Sequence, residues 1–494
     1  MTNELRDKEN AIYRQTLTDD LVSILHWRTV HQPQQVAYRF LGDKVDSGSR
    51  HWSYAELHRQ AQIIAAQLDG LANQPVLLAY PAGLDFVAAF YGCLYAGAIA
   101  VPVPVPVRHQ GLARWRHIVV DAQPQAILAP SQQHAKVQAL LESVTEQIPH
   151  EAVCLDPLSS SDESLITGWQ KPDFDSEAIA LLQYTSGSTS RPKGVMVSHR
   201  NLMHNLALIH ERFGHSPASH GVIWLPPHHD MGLIGGILQP LYGGFPVTLM
   251  SPGSFLRRPI RWLQVISDLG GTTSGGPNFA YERCLQKVTP EQLQHLDLSR
   301  WNLAFTGAEP IRASTLRQFA ATFADCGFSL KAFYPCYGLA EATLFVSGGA
   351  QSETPRLSAI DQAALAQGQA VEVTSADASQ IVSCGQSAAD QQIVIVDPKS
   401  HKCCTDGQVG ELWLAGPSVA QGYWRQPEAT QVTFNAYLAD GTGPFLRTGD
   451  LGFIQNKELF VTGRLKDLII IRGQNHYPQD IEQTVGHCHA AVRS

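Results

Sequence analysis

The chain has 494 residues, and at roughly 100 to 200 residues per domain it is expected to fold into about two to four structural units. Its composition, 44% hydrophobic and 16% charged with 40 Gly and 29 Pro, is that of a globular protein and excludes a largely disordered chain. A net charge of −8 and a pI near 6.2 offer no general attraction for nucleic acid or anionic membrane, so neither is expected as a main partner.

The cysteines and the amino terminus indicate the cellular compartment of the protein. Nine cysteines, an odd number without CxxC spacing, argue against a disulfide framework or a zinc site and fit a reducing compartment. Residues 1–10 carry several charges and lack the apolar core of a signal peptide. We therefore expect a cytoplasmic protein.

One uncharged stretch, residues 86–107, approaches the ~20 apolar residues that a membrane-spanning helix needs. Its second half alternates valine with Pro102, Pro104 and Pro106, which cannot continue a helix, and Gly97 interrupts its middle. We predict a buried helix, a turn and an extended segment, and hence no transmembrane segment.

The first half of the chain alternates helix and strand patterns. Ser53 and Glu56 form a capping box, apolar residues then recur at helical spacing, and Gly70 closes the helix. Further elements are predicted at 76–80 (strand), from about 84 (helix), near 98, at 126–129 and at 223–225 (strands). This alternation predicts an α/β fold with a largely parallel sheet covered by helices.

A hydroxyl-rich loop stands between two predicted strands, 178–183 and 195–197, and Ser198 then caps a helix. The loop consists of Tyr184, Thr185, Ser186, Gly187, Ser188, Thr189, Ser190, Arg191, Pro192, Lys193 and Gly194. Glycines let backbone N–H groups approach an anion, hydroxyls add donors, and Lys193 supplies a point charge suited to a polyphosphate. A phosphate-binding loop is the favoured interpretation, and a solvated linker is the alternative.

The spacing differs from the P-loop of kinases and GTPases, because Lys193 precedes Gly194 instead of following a glycine and opening a helix. A different nucleotide chemistry is implied.

The carboxyl-terminal third changes in composition. Residues 351–380 are rich in Ala, Gln, Ser and Asp with little strand signal before Ile381, which predicts an insertion or a long connection. Strands predicted at 392–396 and 410–414 make the region beyond it richer in β-structure.

Four motifs in order resemble the adenylate-forming superfamily of acyl-CoA synthetases, luciferases and peptide-synthetase adenylation domains. The first is the loop 184–194. The others are Tyr337–Glu341 (YGLAE), which resembles the YGxxE segment, Arg447–Asp450 (RTGD), and Gly463–Asp467 (GRLKD), which resembles the hinge before the smaller domain. Together they are far more specific than any one of them.

Within this superfamily the chain most resembles the fatty acyl-AMP ligases. Three stretches carry the likeness: Trp224–Gly232 (WLPPHHDMG), Ser274–Ala280 (SGGPNFA) and Tyr337–Thr343 (YGLAEAT). The segment from Gln351 is also compared with an extra segment of these ligases, thought to hinder the domain arrangement that coenzyme A requires. The resemblance implies transfer of the acyl group to the phosphopantetheine of an acyl carrier protein.

The resemblance implies a two-domain fold. Residues 1–465 would form the large AMP-binding domain, with α/β subdomains at about 1–175 and 176–350, the insertion 351–380 and a β-rich subdomain 381–465. Residues 466–494 would be the hinge and the start of the smaller domain. Because only 28 residues follow Lys466 (494 − 466), fewer than the ~50 of a compact domain, that domain is expected to be largely missing with its catalytic lysine, and adenylate formation to be slow.

The resemblance also assigns site residues for ATP, Mg²⁺ and a fatty acid. ATP contacts are expected from Thr185, Ser186, Gly187, Ser188, Thr189, Lys193, Gly307, Ala308, Glu309, Tyr337, Gly338, Asp450 and Arg464. Mg²⁺ ligands are expected from Thr185 and Glu341, and catalytic roles for His229, Lys193, Glu341 and Lys466. The acid is expected at His229, Asp230, Ser274, Gly275, Gly276 and Phe279.

Plainer interpretations stand beside several of these assignments. His228, His229 and Asp230 could be metal ligands, although neighbours in an extended segment point to opposite faces, and His229 could be a buried structural histidine. Glu341 could be a helix-capping acid. Residues 307–310 could be an ordinary strand-to-helix turn after the strand 303–305.

Apolar residues of the acyl pocket are harder to assign. Phe279, Tyr281 and Leu233 are candidates for the wall of an acyl tunnel, with a core position as the favoured alternative for apolar residues.

Three rival functions remain. An acyl-CoA synthetase would form a thioester with coenzyme A. An amino-acid adenylation domain could pair Asp230 with the substrate amine. A non-catalytic module would bind ATP and fatty acid without reacting them.

Overall fold

A computed structural model of the chain describes residues 20–42, 48–104, 106, 111–144, 147–148, 152–156, 158, 166, 168–173, 175–185, 191–375, 378–388, 390–471 and 474–488. The chain divides into two compact units. The first comprises residues 1–272 together with 420–427, and the second comprises residues 273–419 together with 428–494.

The first unit is an α/β structure. Its strands are β1 (Val36–Leu41), β2 (Ser49–Ser53), β3 (Pro75–Leu78), β4 (Ile99–Pro102), β5 (Ala126–Leu128), β6 (Val153–Leu155), β7 (Ile179–Tyr184), β8 (Gly194–Ser198), β9 (Gly221–Ile223) and β10 (Val247–Met250). Its helices are α1 (Leu21–His31), α2 (Tyr54–Gln67), α3 (Leu84–Tyr95), α4 (Leu112–Ala122), α5 (Ser131–Glu142), α6 (His199–Arg212), α7 (Gln239–Gly243), α8 (Pro252–Arg257) and α9 (Ile260–Leu269). A π-helix, Met231–Leu238, leads directly into α7.

Two groups of strands form sheets in this unit. One runs β6-β5-β3-β4-β7-β8, parallel except for β8, which returns antiparallel to β7. In the other, β9, β10 and β1 are parallel and β2 is antiparallel to β1. Helices follow the parallel strands because such strands need a crossover, which confirms the predicted α/β class.

The stretch of membrane length folds as predicted within the described residues. Phe86 lies in the buried helix α3, Gly97 turns the chain with φ +67°, and the extended strand β4 follows. No helix in the described part of the chain is long and apolar enough to cross a membrane.

Two helix starts confirm local sequence signals. Ser53 accepts from the backbone N–H of Glu56, whose carboxylate accepts from the backbone N–H of Ser53, a complete capping box. Ser198 and Asn201 cap α6 in the same reciprocal way. The strand β8 therefore leads into α6 with the helix start fixed by short-range hydrogen bonds.

The second unit combines a mixed sheet with a β-rich region. Its strands are β11 (Thr273–Gly275), β12 (Leu303–Thr306), β13 (Phe333–Gly338), β14 (Phe345–Gly348), β15 (Leu357–Ile360), β16 (Ser379–Val382), β17 (Gln386–Ser387), β18 (Gln392–Val396), β19 (Gly410–Ala415), β20 (Leu446–Gln455), β21 (Glu458–Arg464), β22 (Ile469–Ile471) and β23 (Gln474–His476). Its helices are α10 (Asn278–Lys287), α11 (Pro290–Leu293), α12 (Ala313–Thr322), α13 (Gln362–Ala366), α14 (Pro427–Phe434) and α15 (Pro478–Cys488). The first residue of α14, Pro427, is assigned to the first unit.

The strands of the second unit pair in two main ways. β11, β12 and β13 are parallel, and β14 and β17 continue the sheet antiparallel. β18 to β21 form an antiparallel sheet in chain order, as the β-rich carboxyl third predicts. β22 and β23 form a separate hairpin just after Lys466.

Residues 351–380, predicted to be an insertion or a long connection, form a strand and a helix despite their weak strand signal. β15 pairs antiparallel with β16, and α13 lies between them in the chain. Ile360 and Leu365 of this segment pack in one cluster with Phe453 and Phe460 of the antiparallel sheet. β15 contains a single β-branched residue, so its extended form is set by this packing more than by its own composition.

The predicted subdomain boundaries near residues 175, 350, 380 and 465 remain predictions.

Candidate active site

The hydroxyl-rich loop connects two paired antiparallel strands of the first unit, β7 and β8. Tyr184 of β7 lies opposite Gly194 of β8, and the N–H of Thr185 donates to the carbonyl of Lys193 at 3.1 Å. A Cβ at Gly194 would lie 2.9 Å from the Tyr184 ring, so a larger residue would have to displace that ring from its hydrogen bond with Asp121. The predicted phosphate contacts Ser186, Gly187, Ser188 and Thr189 lie outside the described residues.

Lys193, predicted to meet ATP phosphates, lies against an aromatic ring. Its ammonium is 4.3 Å from the ring centroid of Tyr423, a cation–π contact within the first unit. The segment that carries Tyr423 runs along β8, where Trp424 N–H donates to the Gly194 carbonyl at 2.7 Å. The ammonium is thereby held at the base of the loop.

Three polar side chains of α4 fix the two ends of this loop. Arg114 directs Nη2 at the carbonyl oxygens of Tyr184, at 3.4 Å, and of the next residue, at 3.3 Å. Asp121 accepts from the Tyr184 hydroxyl at 2.6 Å, and a His117 ring nitrogen is 3.1 Å from the Pro192 carbonyl. Positions 114, 117 and 121 share one helix face, a spacing that is visible in the sequence but belongs to none of the four motifs.

His228 and His229 lie in a turn, which corrects the assumption that they are extended with opposed side chains. Their ring centroids are 4.8 Å apart and the rings are tilted by 45°. Burial, together with the positive charge of Arg114, lowers the pKa of His229. Burial, helped by His229 and Arg114, lowers the pKa of His228 from 6.5 to about 3. Both rings are neutral at pH 7 and can accept or donate a hydrogen bond.

Asp230 begins the π-helix that follows. Its carboxylate accepts from the N–H of Met231 at 2.7 Å. A Cβ at Gly232 would lie 2.1 Å from the Pro226 carbonyl, so only glycine permits this close approach. Among the described residues no group of three or more His, Cys, Asp or Glu side chains is arranged to hold a metal, which weighs against the metal interpretation of His228, His229 and Asp230.

The low pKa of His228 predicts an acid-sensitive fold. Below about pH 6.5 the unfolded chain binds a proton here that the folded chain does not, so stability falls as the pH falls toward the folded-state pKa. Replacing His228 with Gln should therefore reduce the loss of unfolding free energy between about pH 7 and 5 by about 1–2 kcal/mol. Urea unfolding at the two pH values measures this.

The exposed His295 provides the matched control for this measurement. A His295→Gln variant should lose as much stability on acidification as the parent chain. Equal pH dependence in the His228→Gln variant and the parent would contradict the assignment of His228 as a buried neutral histidine.

The second unit brings together three of the predicted nucleotide contacts. The Tyr337 hydroxyl donates to Asp450 at 2.7 Å, and Arg464 Nε donates to the other carboxylate oxygen at 3.2 Å. Burial raises the pKa of Tyr337 well above its ordinary value, so its hydroxyl remains a donor. Burial raises the pKa of Asp450, and the bonds from Tyr337 and Arg464 oppose that rise.

A buried glutamate, Glu411 of β19, fixes the RTGD segment at the start of β20, which carries Asp450. Glu411 is 2% exposed and binds Arg447 through two nitrogens, with Nη2 at 2.8 Å. It also accepts from the backbone N–H of Gly449 at 3.2 Å. Glu411 belongs to none of the four motifs and was not predicted as a site residue, although a charged residue inside the apolar strand predicted at 410–414 indicates a buried partner.

Glu341 lies in a 3₁₀ turn, Ala340–Ala342, between β13 and β14. Its negative charge contributes to the raised pKa of Tyr337, so the two side chains are electrostatically coupled. A Cβ at Gly338 would lie 1.7 Å from the carbonyl of Leu344, so glycine is required where the chain folds back.

The predicted turn 307–310 lies between β12 and α12. Ala308 has φ +65°, and a Cβ at Gly307 would lie 2.7 Å from the Cys336 carbonyl. Glu309 accepts from the backbone N–H of Phe279 at 2.6 Å, which links this turn to the start of α10.

The predicted acid-binding residues of this unit differ in exposure. Ser274 and Gly275 are buried in β11, and Gly275 must be glycine because a Cβ there would lie 2.1 Å from the Phe305 carbonyl. The N–H of Gly276 donates to the same carbonyl at 3.1 Å. Phe279 is 38% exposed, whereas Tyr281 is fully buried and donates its hydroxyl to the Phe305 carbonyl, as a core residue does. Leu233 in the first unit is fully buried as well.

A cavity of about 1010 Å³ in the second unit is lined by several predicted contacts. Those among its lining residues are Ala308, Glu309, Tyr337, Gly338, Asp450 and Arg464. Its lining also includes residues of α13, from the segment predicted to be an insertion or a long connection, and residues of β16. Lys466 lies exposed in the turn between β21 and β22.

The chain matches known proteins over most of its length. The family model of the AMP-binding enzymes matches residues 25–424. A medium-chain-fatty-acid–acyl-carrier-protein ligase of Moorena producens is 45% identical over 96% of this chain and 81% of that protein. A long-chain-fatty-acid–AMP ligase of Mycolicibacterium smegmatis is 37% identical over 93% of this chain and 76% of that protein.

A solved structure agrees with these sequence matches. It is the fatty acyl-adenylate ligase of Legionella pneumophila in complex with acyl adenylate and pyrophosphate, and it has a TM-score of 0.84 and 41% identity. The match covers 95% of this chain and 81% of that one. The chain therefore belongs to the AMP-binding enzyme family, among its fatty acyl-AMP ligases.

Proposed function

We propose that this enzyme activates a fatty acid with ATP to an acyl-adenylate, releases pyrophosphate, and passes the acyl group to the phosphopantetheine of an acyl carrier protein. The acid, the adenylate and the carrier protein are named in the relatives above, which supports the same chemistry here. All nine cysteines are free thiols, which fits a reducing compartment, and we place the reaction in the cytoplasm.

The observation that carries this proposal is the buried carboxylate of Asp450 on the wall of the 1010 Å³ cavity. One of its oxygens accepts from Tyr337 and the other from Arg464, so the carboxylate is fixed before any ligand binds. An ionised carboxylate accepts several hydrogen bonds at once, which suits the paired hydroxyls of a ribose. The turn 307–310 would then contact adenine.

Glu341 and Thr185 are residue types that suit Mg²⁺ bound together with ATP. This cation keeps several waters and is usually held by one or two carboxylates plus substrate phosphates. The described residues contain no cage of three acidic or other ligating side chains, so a single carboxylate is the expected protein ligand, and Glu341 would supply it with help from the Thr185 hydroxyl. Bound Mg²⁺ would neutralise negative charge on the phosphates.

The chemistry joins two anions, because a fatty-acid carboxylate attacks the α-phosphorus while pyrophosphate leaves. The protein therefore acts by positioning the reactants and offsetting charge. Lys193 would stabilise the phosphates, with Ser186, Gly187, Ser188 and Thr189 as further donors. The neutral ring of His229 would orient the acid beside Asp230, with Ser274, Gly275, Gly276 and Phe279 along the acyl chain.

A product assay tests the proposal. The protein is mixed with ATP, Mg²⁺ and dodecanoate, and acyl-AMP is quantified by mass spectrometry; we expect acyl-AMP that depends on all three. Coenzyme A or holo carrier protein is then added in parallel. Acyl-carrier thioester without acyl-CoA supports the proposal, acyl-CoA would favour the synthetase alternative, and no acyl-AMP above background would favour a non-catalytic binding protein.

A further inference from the structure

Thr343 lies two residues after Glu341 and has a backbone conformation that side chains of its type rarely adopt. Its φ is +68° and its ψ is −65°. The N–H of Leu344 donates to the carbonyl of Ala342 at 2.8 Å, which closes a three-residue γ-turn centred on Thr343. A β-branched residue at positive φ is a true outlier, so this turn is strained.

The hydroxyl of Thr343 explains what threonine contributes at this position. The residue is fully buried, and its Oγ1 donates to the carbonyl of Ser418 at 2.7 Å. Ser418 is 1% exposed, so the bond is shielded from water. Glycine would adopt the same φ without strain but could not form this bond.

The turn also fixes the position of Glu341. Glu341 is the middle residue of the 3₁₀ turn, and the N–H of Thr343 closes that turn by donating to the Ala340 carbonyl at 2.9 Å. On the other side Gly338 lies against the Leu344 carbonyl, too close for any side chain. The backbone of Glu341 is therefore clamped between two points that admit little movement.

We propose that Thr343 is a positioning residue: its bond to Ser418 maintains the strained turn and thereby holds the Glu341 carboxylate where a divalent cation binds with ATP. The inference rests on the proposed role of Glu341. Strained backbone persists where the surroundings over-determine it, and it is concentrated at ligand sites and active sites. A buried hydroxyl that only filled the core would have no effect on cation binding.

Cation binding tests this role without relying on turnover. The affinity of Mn²⁺ for the complex with α,β-methylene-ATP is measured by electron paramagnetic resonance in the parent, Thr343→Val and Thr343→Ser chains. Mutation of residues that orient a metal ligand typically lowers metal affinity by about 10–100-fold, so the Val variant should bind Mn²⁺ at least about tenfold more weakly. The Ser variant, which keeps the hydroxyl, should stay within about twofold of the parent.

Two further variants separate the possible outcomes. Thr315→Val removes another buried hydroxyl, one that donates to Glu282, and should lower the melting temperature without weakening Mn²⁺ binding. Glu341→Gln should weaken Mn²⁺ binding, and adding Thr343→Val to it should weaken binding no further. Full Mn²⁺ affinity in a folded Thr343→Val chain would overturn the role of Thr343 alone, whereas full affinity in Glu341→Gln would overturn the proposed function of Glu341.

Discussion

Replacing Glu341 with Gln should lower the single-turnover rate of acyl-AMP formation by about 10²–10³-fold, the range seen when one electrostatic contact to a developing charge is removed. Gln keeps the size of the side chain and the 3₁₀ turn but removes the negative charge. The defect should be largest at low Mg²⁺ and partly relieved at high Mg²⁺, since a weakened cation site fills at higher concentration. Quench-flow with mass spectrometric detection of acyl-AMP measures both effects.

The exposed Glu353 in the same unit provides a matched control. Glu353→Gln makes the same chemical change away from the four motifs and should leave the rate and its Mg²⁺ dependence unchanged. A loss of activity in Glu341→Gln that stays the same at every Mg²⁺ concentration would contradict a cation role and favour the simpler interpretation of Glu341 as a helix-capping acid.

Short-range hydrogen bonding explains why several elements could be predicted from the sequence. The capping boxes at Ser53 and Ser198 join residues three positions apart, so the sequence pattern predicts these hydrogen bonds directly. The prolines after α3 end any helix for a local steric reason. The resemblance of the motifs to a known family predicted that Tyr337, Asp450 and Arg464 lie at one nucleotide site, and the structure brings these three side chains into contact.

Contacts between distant residues account for what the sequence did not predict. The strand β15 takes its form from packing against Phe453 and Phe460, about a hundred positions away in the chain. The contact between α4 and the hydroxyl-rich loop joins Asp121 to Tyr184, and no motif marks that pair. The turn at His228 and His229 also involves a distant contact, since the His228 carbonyl accepts from the side chain of Gln183 on β7.

Glu411 is a residue whose burial can be predicted from the sequence but whose partner cannot. A glutamate in an apolar strand predicts a buried partner, but the candidates in the sequence are many. In the structure Glu411 binds Arg447 and the Gly449 backbone, and through them it fixes the start of β20, which carries Asp450. The position of the Asp450 carboxylate, proposed to bind the ribose, therefore depends on a residue outside the RTGD motif.

Replacing Asp450 with Asn should weaken ATP binding by about 10–100-fold, because hydrogen bonds to a charged acceptor contribute about 1.5–3 kcal/mol and 1.4 kcal/mol is tenfold in affinity. Asn is chosen because its carbonyl oxygen can still accept from Tyr337, so the cavity wall should keep its shape. Isothermal titration with ATP measures the loss. Asp406→Asn, an exposed change in the same unit, should bind ATP as the parent does.

A ligand without ribose hydroxyls separates recognition from structure at Asp450. The parent chain should bind 2′,3′-dideoxy-ATP more weakly than ATP, since the carboxylate would have no hydroxyl to accept from, and Asp450→Asn should bind that analogue about as well as the parent does. If the variant instead loses affinity equally for both nucleotides, Asp450 acts by holding Tyr337 and Arg464 in place. Its carboxylate would then shape the cavity without contacting the ribose.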